Sequence, residues 1–313
     1  MSKLAADRFH NEESARKFLE EVRWPDGPIC PHCGSVNNAY ENVSKRGVYR
    51  CAERECRKDF TVTVGTLFER SHVPLHKWLL ATHLLMSSKK GMSSHQLHRV
   101  LGVTYKTAWF MSHRIREALR PILQEPPMGG AGKAVEADET YIGGKEKNKH
   151  AWQRKKENIG GQGKEIAFAL VERGGKVRSH HIPEVTAKTL RPILTAQLDT
   201  ASALMTDGEG QYRILGADFA RHEAVNHSIG EYVRGDAHTN TVESYFAILK
   251  RGIFGTYHHV SPAHLKRYLA EFDFRYNERM ALGTDDSNRA KKALQGIAGK
   301  RLTYRVSLDV GGR

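Results

Sequence analysis

Three acidic residues stand where a fold could gather them around one substrate atom. Asp138 lies in the alternating run "VEADET", Asp207 ends the apolar run "ALMTD" just before Gly208, and Glu243 sits in "HTNTVESYFAILKRG" (238–252), which reads as an amphipathic helix. Carboxylates are hard oxygen ligands that suit Mg²⁺ or Mn²⁺. Two such ions, roughly 3.5–4 Å apart, activate a water or a 3′-hydroxyl and steady the leaving oxygen of an in-line phosphoryl transfer. Lys250 follows Glu243 by seven helical residues, nearly two turns or about 10 Å. It shares the face of Glu243 but lies too far along for a simple ion pair, and it can reach a phosphate held near the acid. Asn240, three residues before Glu243, falls on the same side as a further ligand or an orienting group. Glu243 is preferred as the third metal ligand for its charge and its spacing to Lys250, with Asn240 as the alternative. His238, His258 and His259 could contact phosphate or support the ligands, though such histidines are more often packing or surface residues.

The acids converge only if a mixed sheet carries them. Strands are expected at 134–144, 165–174 and 176–185, then a helix at 186–199 and a strand at 202–210 ending near Asp207. A short helix follows, "EYVRGDA" (231–237) reads as a last short strand, and helices are expected at 240–251 and 261–279. The first strand, the fourth strand and the following helix then bring Asp138, Asp207 and Glu243 to one end of the sheet. The basic, glycine-flanked stretch 143–164 reads as a hairpin loop, either merely solvated or tracking a DNA backbone with Lys155 and Lys156.

The N-terminal part has a different chemistry. All four cysteines fall between 30 and 56, as Cys30-x2-Cys33 and Cys51-x4-Cys56 with 17 residues between the pairs. Two short knuckles of this kind place Cys30, Cys33, Cys51 and Cys56 within tetrahedral reach of one structural Zn²⁺. A helix is expected within 1–25, and β-type runs in "GVYRC" and "DFTVTVGT". Between 75 and 120 three helices are expected, the second capped by Ser93 or Ser94 and the third by Thr104, with Pro121 past its end. The second and third have helix-turn-helix spacing, which puts Tyr105, Lys106 and Thr107 where a recognition helix meets bases or phosphates. A generic three-helix bundle is the plainer alternative. "QEPPMGGAGK" (124–133) reads as a linker.

The chain has 313 residues, 39% of them hydrophobic, enough for two or three units with real cores. Forty-nine Lys and Arg against 35 Asp and Glu leave a net charge of +14, with a pI near 9.6. A balance this basic points to a polyanionic partner, because cations that meet phosphates release condensed counterions. No stretch is apolar for long enough to span a membrane and the first residues lack a signal-peptide core, so a cytoplasmic, nucleoid-associated protein is expected. No internal repeat is visible.

"EADETYIGGK", "MTDGEGQY" and the block from His238 to Arg279 closely resemble the ISXO-two-like insertion-sequence transposases, over about residues 10–280. The 35 residues between Asp207 and Glu243 match the spacing of such DDE enzymes, although some members are described with Asn as the third residue. The resemblance implies a multidomain α/β protein: an N-terminal helix and zinc ribbon (1–70), a helix-turn-helix bundle (71–123), the linker, an RNase H-like mixed-sheet catalytic domain (134–283) and a basic tail (284–313). It implies metal-dependent cleavage of the element's ends and transfer of their 3′-hydroxyls into target DNA without a covalent enzyme intermediate. The partners would be double-stranded terminal inverted repeats, target DNA and a second copy of the chain in a dimer or higher oligomer. The competing expectations are a DNA-binding regulator with an inert catalytic domain and a nuclease that cuts without joining.

Overall fold

The computed structural model describes residues 3–121, 125–144, 148–154, 161–208 and 210–303. Of these, residues up to 88, 92–121 and 284–303 form one unit, and 89–91 with 125–283 form a second.

In the first unit, helix α1 (Glu12–Arg23) starts where the Asn11 side chain accepts the Ser14 N–H. It buries Ala15, Leu19 and Val22, spaced to share one face. The cysteine-bearing stretch forms three short antiparallel strands, β1 (Ala39–Glu41), β2 (Tyr49–Cys51) and β3 (Asp59–Phe60). Trp24, Tyr49 and Phe60 pack together with ring centroids 5.4–5.9 Å apart. The expected strand in "DFTVTVGT" stops at Phe60 because its threonines turn the chain locally. Thr61 and Thr63 share a hydroxyl hydrogen bond of 3.0 Å and the Thr66 hydroxyl donates to the Thr63 carbonyl. Helix α2 (Leu75–Ser87) is buried on most sides, from Leu75 through Trp78 and His83 to Met86, as befits the central helix of the unit. Helices α3 (Ser94–Leu101) and α4 (Tyr105–Ala118) begin at Ser93 and Thr104, whose hydroxyls accept the N–H groups of Gln96 and Thr107. Gly102 ends α3 at φ 61°, the left-handed conformation that closes a helix with least strain when no Cβ is present.

The second unit is a five-stranded mixed sheet between two pairs of helices. In chain order it contains β4 (Ala134–Ile142), β5 (Glu165–Glu172), β6 (Val177–Ile182), α5 (Ala187–Gln197), β7 (Ala203–Asp207), α6 (Gly210–Gly216), β8 (Arg221–Val225), α7 (Asn240–Gly252) and α8 (Pro262–Asn277). The strands lie in the order β6-β5-β4-β7-β8, antiparallel across the first three and parallel from β4 to β7 and β8. Val135, Ala137, Phe168, Leu170 and Leu204 pack one face against Leu190, Leu194 and Tyr212 of α5 and α6. Ala167, Ala169 and Val171 pack the other face against Val242, Tyr245, Leu249, Leu265 and Phe272 of α7 and α8. The last strand is "RHEAV", not "EYVRGDA". Only Val225 of β8 is fully buried, so the strand has no alternation to read, and it is held by its parallel register with β7. Residues 231–237 form a loop with an Arg234–Ala237 bridge.

The segment expected as a basic tail returns to the first unit. Helix α9 (Asp286–Gln295), capped by the Asp285 side chain, buries Arg289, Ala290, Ala293 and Leu294. The Arg289 guanidinium donates to the Met86 carbonyl in the last turn of α2, and Lys300 Nζ donates to the Glu117, Ala118 and Arg120 carbonyls where α4 ends. Both cations sit at helix C-termini, where unpaired carbonyls favour positive charge. Leu294, 2% exposed, gives a test. Leu294→Ala is expected to lower stability by about 2–5 kcal/mol. Urea unfolding followed by the fluorescence of Trp24, Trp78 and Trp109, all in this unit, reads the loss. A change below about 0.5 kcal/mol, the range of surface substitutions, would mean that α9 is only loosely attached.

Candidate catalytic and metal centres

Asp138 lies on β4, facing α7 and α8, and Asp207 is the last residue of the neighbouring parallel strand β7. Glu243 is in the first turn of α7. Burial pushes the Asp138 carboxyl up to about 8, and the charges of Glu139, Asp207 and Glu243 add to the rise against a backbone hydrogen bond from Glu139 N–H. Asp138 is therefore close enough to feel the charge of both other acids named from the sequence. The oxygens of the three do not gather within 4.8 Å of each other, a spacing that among the described residues the four cysteines meet. Glu139 points to the opposite face, where it accepts a 2.6 Å hydrogen bond from the Tyr212 hydroxyl. A hard cation fits this donor set, because Asp138, Asp207 and Glu243 all offer carboxylate oxygens and positive charge relieves the burial of the Asp138 carboxyl as a proton does.

Helix α7 presents Asn240, Glu243 and Lys250 on its exposed side and buries Val242, Tyr245, Phe246 and Leu249. Thr239 stands at the N-cap, but its hydroxyl donates to Glu243 Oε1 at 2.9 Å instead of capping the helix. His227, stacked on Tyr232, lies 3.6 Å from the same oxygen. The helix amides are met from β4. Glu136, fully buried, accepts the Thr241 and Val242 N–H groups at 2.7 and 2.9 Å and the Thr241 hydroxyl at 2.9 Å. Arg173, at the end of β5, donates Nε to Glu136 at 2.7 Å and its remaining nitrogens to the Asp236 and His238 carbonyls. None of Glu136, Arg173, Thr239 or His227 was singled out from the sequence. The one available signal was the alternation in "VEADET", which puts Glu136 on the same face as Asp138. His238 Nδ1 sits 3.2 Å from Glu136, out of line for a hydrogen bond. His258 is exposed, with Nδ1 3.0 Å from the Phe254 carbonyl, and His259 is exposed beside it.

Cys30 and Cys56 sulfurs lie 3.7 Å apart and those of Cys33 and Cys51 lie 3.6 Å apart. A tetrahedron with Zn–S bonds of about 2.3 Å has edges of about 3.8 Å, so the four sulfurs fit one zinc ion. Burial opposes ionisation of Cys30, but N–H groups of His32 and Cys33 and the neighbouring thiols bring it down to about 7. Burial and the same neighbours push Cys51 up. Four thiolates cannot share this space without a cation.

Tyr105 and Lys106 are exposed at the start of α4, and Tyr105 stacks on His95 with centroids 4.4 Å apart. Thr107 is half-buried and its hydroxyl is 2.8 Å from that of Thr104. Lys155 and Lys156 lie outside the described residues. No helix among the described residues is long and apolar enough to cross a membrane.

The chain thus joins a mixed sheet bearing Asp138 and Asp207, a helix bearing Glu243 and a four-cysteine ribbon. Residues 129–277 match the ISXO2-like transposase domain, and residues 10–59 match the transposase zinc-ribbon domain. Over 285 residues the chain is 33% identical to a Halobacterium salinarum protein described as an uncharacterized protein in transposable element ISH50, covering 85% of this chain and 91% of that one. The chain belongs to the ISXO2-like transposase family, whose DDE domain is RNase H-like. A chain in the cryo-EM structure of the simian T-cell lymphotropic virus intasome in complex with PP2A regulatory subunit B56 gamma is 15% identical, covering 56% of this chain and 63% of that one. With a TM-score of 0.28 that likeness carries no argument.

The raised Asp138 carboxyl has a measurable sign. Its folded value of about 8 lies above the ordinary 3.8, so between these values the folded chain binds more protons than the unfolded chain. Stability then falls as pH rises through that window. In buffer free of magnesium and manganese, Asp138→Asn is expected to melt above the unsubstituted chain at pH 8, with the gap narrowing towards pH 5. Scanning calorimetry at both pH values decides it, and a gap that does not change with pH would count against the assignment.

Proposed function

We propose that this chain is the transposase of an insertion sequence, cutting the element's ends and joining them to target DNA. The observation that carries this reading is the placement of Asp138 on β4, Asp207 at the end of the neighbouring parallel strand β7 and Glu243 in the first turn of α7, within the residues that match the ISXO2-like transposase domain. In the first step a water oxygen attacks the phosphorus at an element end, and the bond to the 3′ oxygen breaks to leave a free 3′-hydroxyl. In the second step that hydroxyl attacks a target phosphodiester, whose own 3′ oxygen leaves. Two Mg²⁺ or Mn²⁺ ions, when bound, supply Lewis-acid stabilisation of the charge that builds on the attacking and leaving oxygens. Asp138, Asp207 and Glu243 would hold them, Thr239 orients the Glu243 carboxylate, and Asn240 supports the site from one turn away. Lys250 pairs with a DNA phosphate on the exposed side of α7, which positions the scissile bond beside the acids.

Recognition of the ends falls to the first unit. Helices α3 and α4 act as a helix-turn-helix, with Tyr105 and Lys106 meeting the terminal-repeat DNA and Thr107 bracing the turn at Thr104. Zinc on Cys30, Cys33, Cys51 and Cys56 holds the ribbon. Lys155 and Lys156 fall in the basic stretch 143–164, whose charge suits a DNA backbone. Joining two ends calls for at least two copies of the chain on DNA.

Strand transfer with oligonucleotide ends tests the reading directly. A regulator gives no cut, a nuclease cuts without joining, and a transposase joins. Glu243→Gln keeps the shape but removes the charge, and is expected to abolish cleavage and joining while end binding stays within about twofold. Asn240→Ala should slow the reaction less. An active Glu243→Gln beside an inactive Asn240→Ala would make Asn240 the third ligand.

Metal content gives an independent check on the ribbon. Elemental analysis is expected to find one zinc per chain, falling to none in Cys51→Ser. That substitution should unfold the ribbon, because metal binding supplies much of the stability of so small a module. Four freely titrating thiols in the unsubstituted chain would overturn the assignment.

A further inference from the structure

We infer that Glu136 and Arg173 are positioning residues for the metal-binding carboxylates: Glu136, clamped by Arg173, caps helix α7 from strand β4 and thereby fixes Glu243 relative to Asp138. This rests on Glu243 being a metal carboxylate, as proposed above. Glu136 lies two residues before Asp138 on the same face of β4, and it binds the N–H groups of Thr241 and Val242, the two residues immediately before Glu243. The covalent path from one acid to the other is thus closed by a pair of hydrogen bonds between adjacent elements. The helix needs this cap because its own is diverted. Thr239 occupies the N-cap, yet its hydroxyl serves Glu243, so an orphan pair of first-turn donors is left for another acceptor.

Glu136 is not itself suited to hold a cation. An ionised carboxylate offers about four lone-pair sites. Here Oε2 takes the two amides, and Oε1 takes Arg173 Nε and the Thr241 hydroxyl. Arg173 completes the clamp through the carbonyls of Asp236 and His238, which fixes the chain entering α7. Five of its contacts and those of Glu136 therefore converge on residues 236–242, the segment that decides where Glu243 begins its turn.

The test uses the full chain with its zinc, titrated with Mn²⁺ and followed by electron paramagnetic resonance, with circular dichroism monitoring the fold. Glu136→Gln keeps the size but removes the charge that pairs with Arg173 and presents an amide to the helix N–H groups. It is expected to weaken Mn²⁺ binding by about tenfold or more, the usual consequence of losing a group that orients a ligand. The Mn²⁺ midpoint of strand transfer should move with it. Arg173→Lys keeps the charge but not the fork, and should give a smaller shift in the same direction. A residue that only stabilised the fold would reduce the amount of active protein without moving the midpoint. Folded Glu136→Gln or folded Arg173→Lys with unaltered Mn²⁺ binding would overturn the proposal, and so would loss of fold in both. Glu243→Gln run alongside separates the two ideas. If it binds Mn²⁺ as the unsubstituted chain does, Glu243 is not a ligand; if it loses Mn²⁺ while Glu136→Gln does not, only the positioning role fails.

Discussion

A single buried carboxylate ties the sheet to the helix that completes the acidic cluster. Glu136 leaves β4 with no exposure to solvent, and a charge in that position is tolerated only when it is paired and its lone pairs are met. Arg173 supplies the pair, and the first turn of α7 supplies the amides. Such an arrangement is asymmetric in energy. Complete, it contributes no more than a well-packed apolar equivalent; with one partner missing it costs about 3–5 kcal/mol, because an uncompensated charge remains buried. That asymmetry makes it a good device for register: the helix start that satisfies Glu136 is far better than its neighbours one residue away.

The rest of the second unit brings α7 to where this contact can form. β5 offers small side chains, Ala167 and Ala169, on the face that meets α7, while its larger Phe168 and Leu170 point to α5 and α6. The close approach lets Tyr245 reach Asp273 of α8, whose carboxylate also accepts the Ser179 N–H and hydroxyl of β6. Burial pushes Asp273 up to about 6 despite those donors. Asn277 then bonds both the N–H and the carbonyl of Val177, so α8 covers the outer edge of β6 that would otherwise be open to pairing with another chain. Apolar packing sets the distance between layers, and the polar pins set position along them.

Much of this was legible from periodicity. β4, β5 and the helices α2 to α5, α7 and α8 have strong patterns, and residue type placed the cap of α4 at Thr104 and that of α3 at Ser93 or Ser94, of which Ser93 serves. The acids Asp138, Asp207 and Glu243 could be grouped because each sits at a marked place on its element. β8 escaped because its sequence is charged except at Val225, and its pairing is specified by β7 and not by its own residues. α9 escaped because two alanines and one leucine among two lysines, an arginine and polar residues look like a solvated tail until α2 is placed beside them. Glu136 and Arg173 were hidden for a related reason: a charged residue in a sequence looks exposed, and only the fold reveals that Glu136 is buried and paired with a half-buried Arg173.

Two acids on one strand, two residues apart, have met opposite fates, and the difference separates scaffold from site. Glu136 has its oxygens filled by donors from the chain itself, including a guanidinium. Asp138 accepts a backbone N–H from Glu139, and burial together with the nearby charges of Glu139, Asp207 and Glu243 holds its proton up to about 8. A fold seeking only stability would resolve that conflict with a lysine or a hydrophobic residue. Keeping it means that part of the stability of the folded chain is given up wherever the buried Asp138 carboxyl is ionised. Because the clamp at Glu136 draws on donors of the chain alone, it holds α7 in place before any cation arrives. Under the proposed function, a cation that bound the acids would not also have to order the helix.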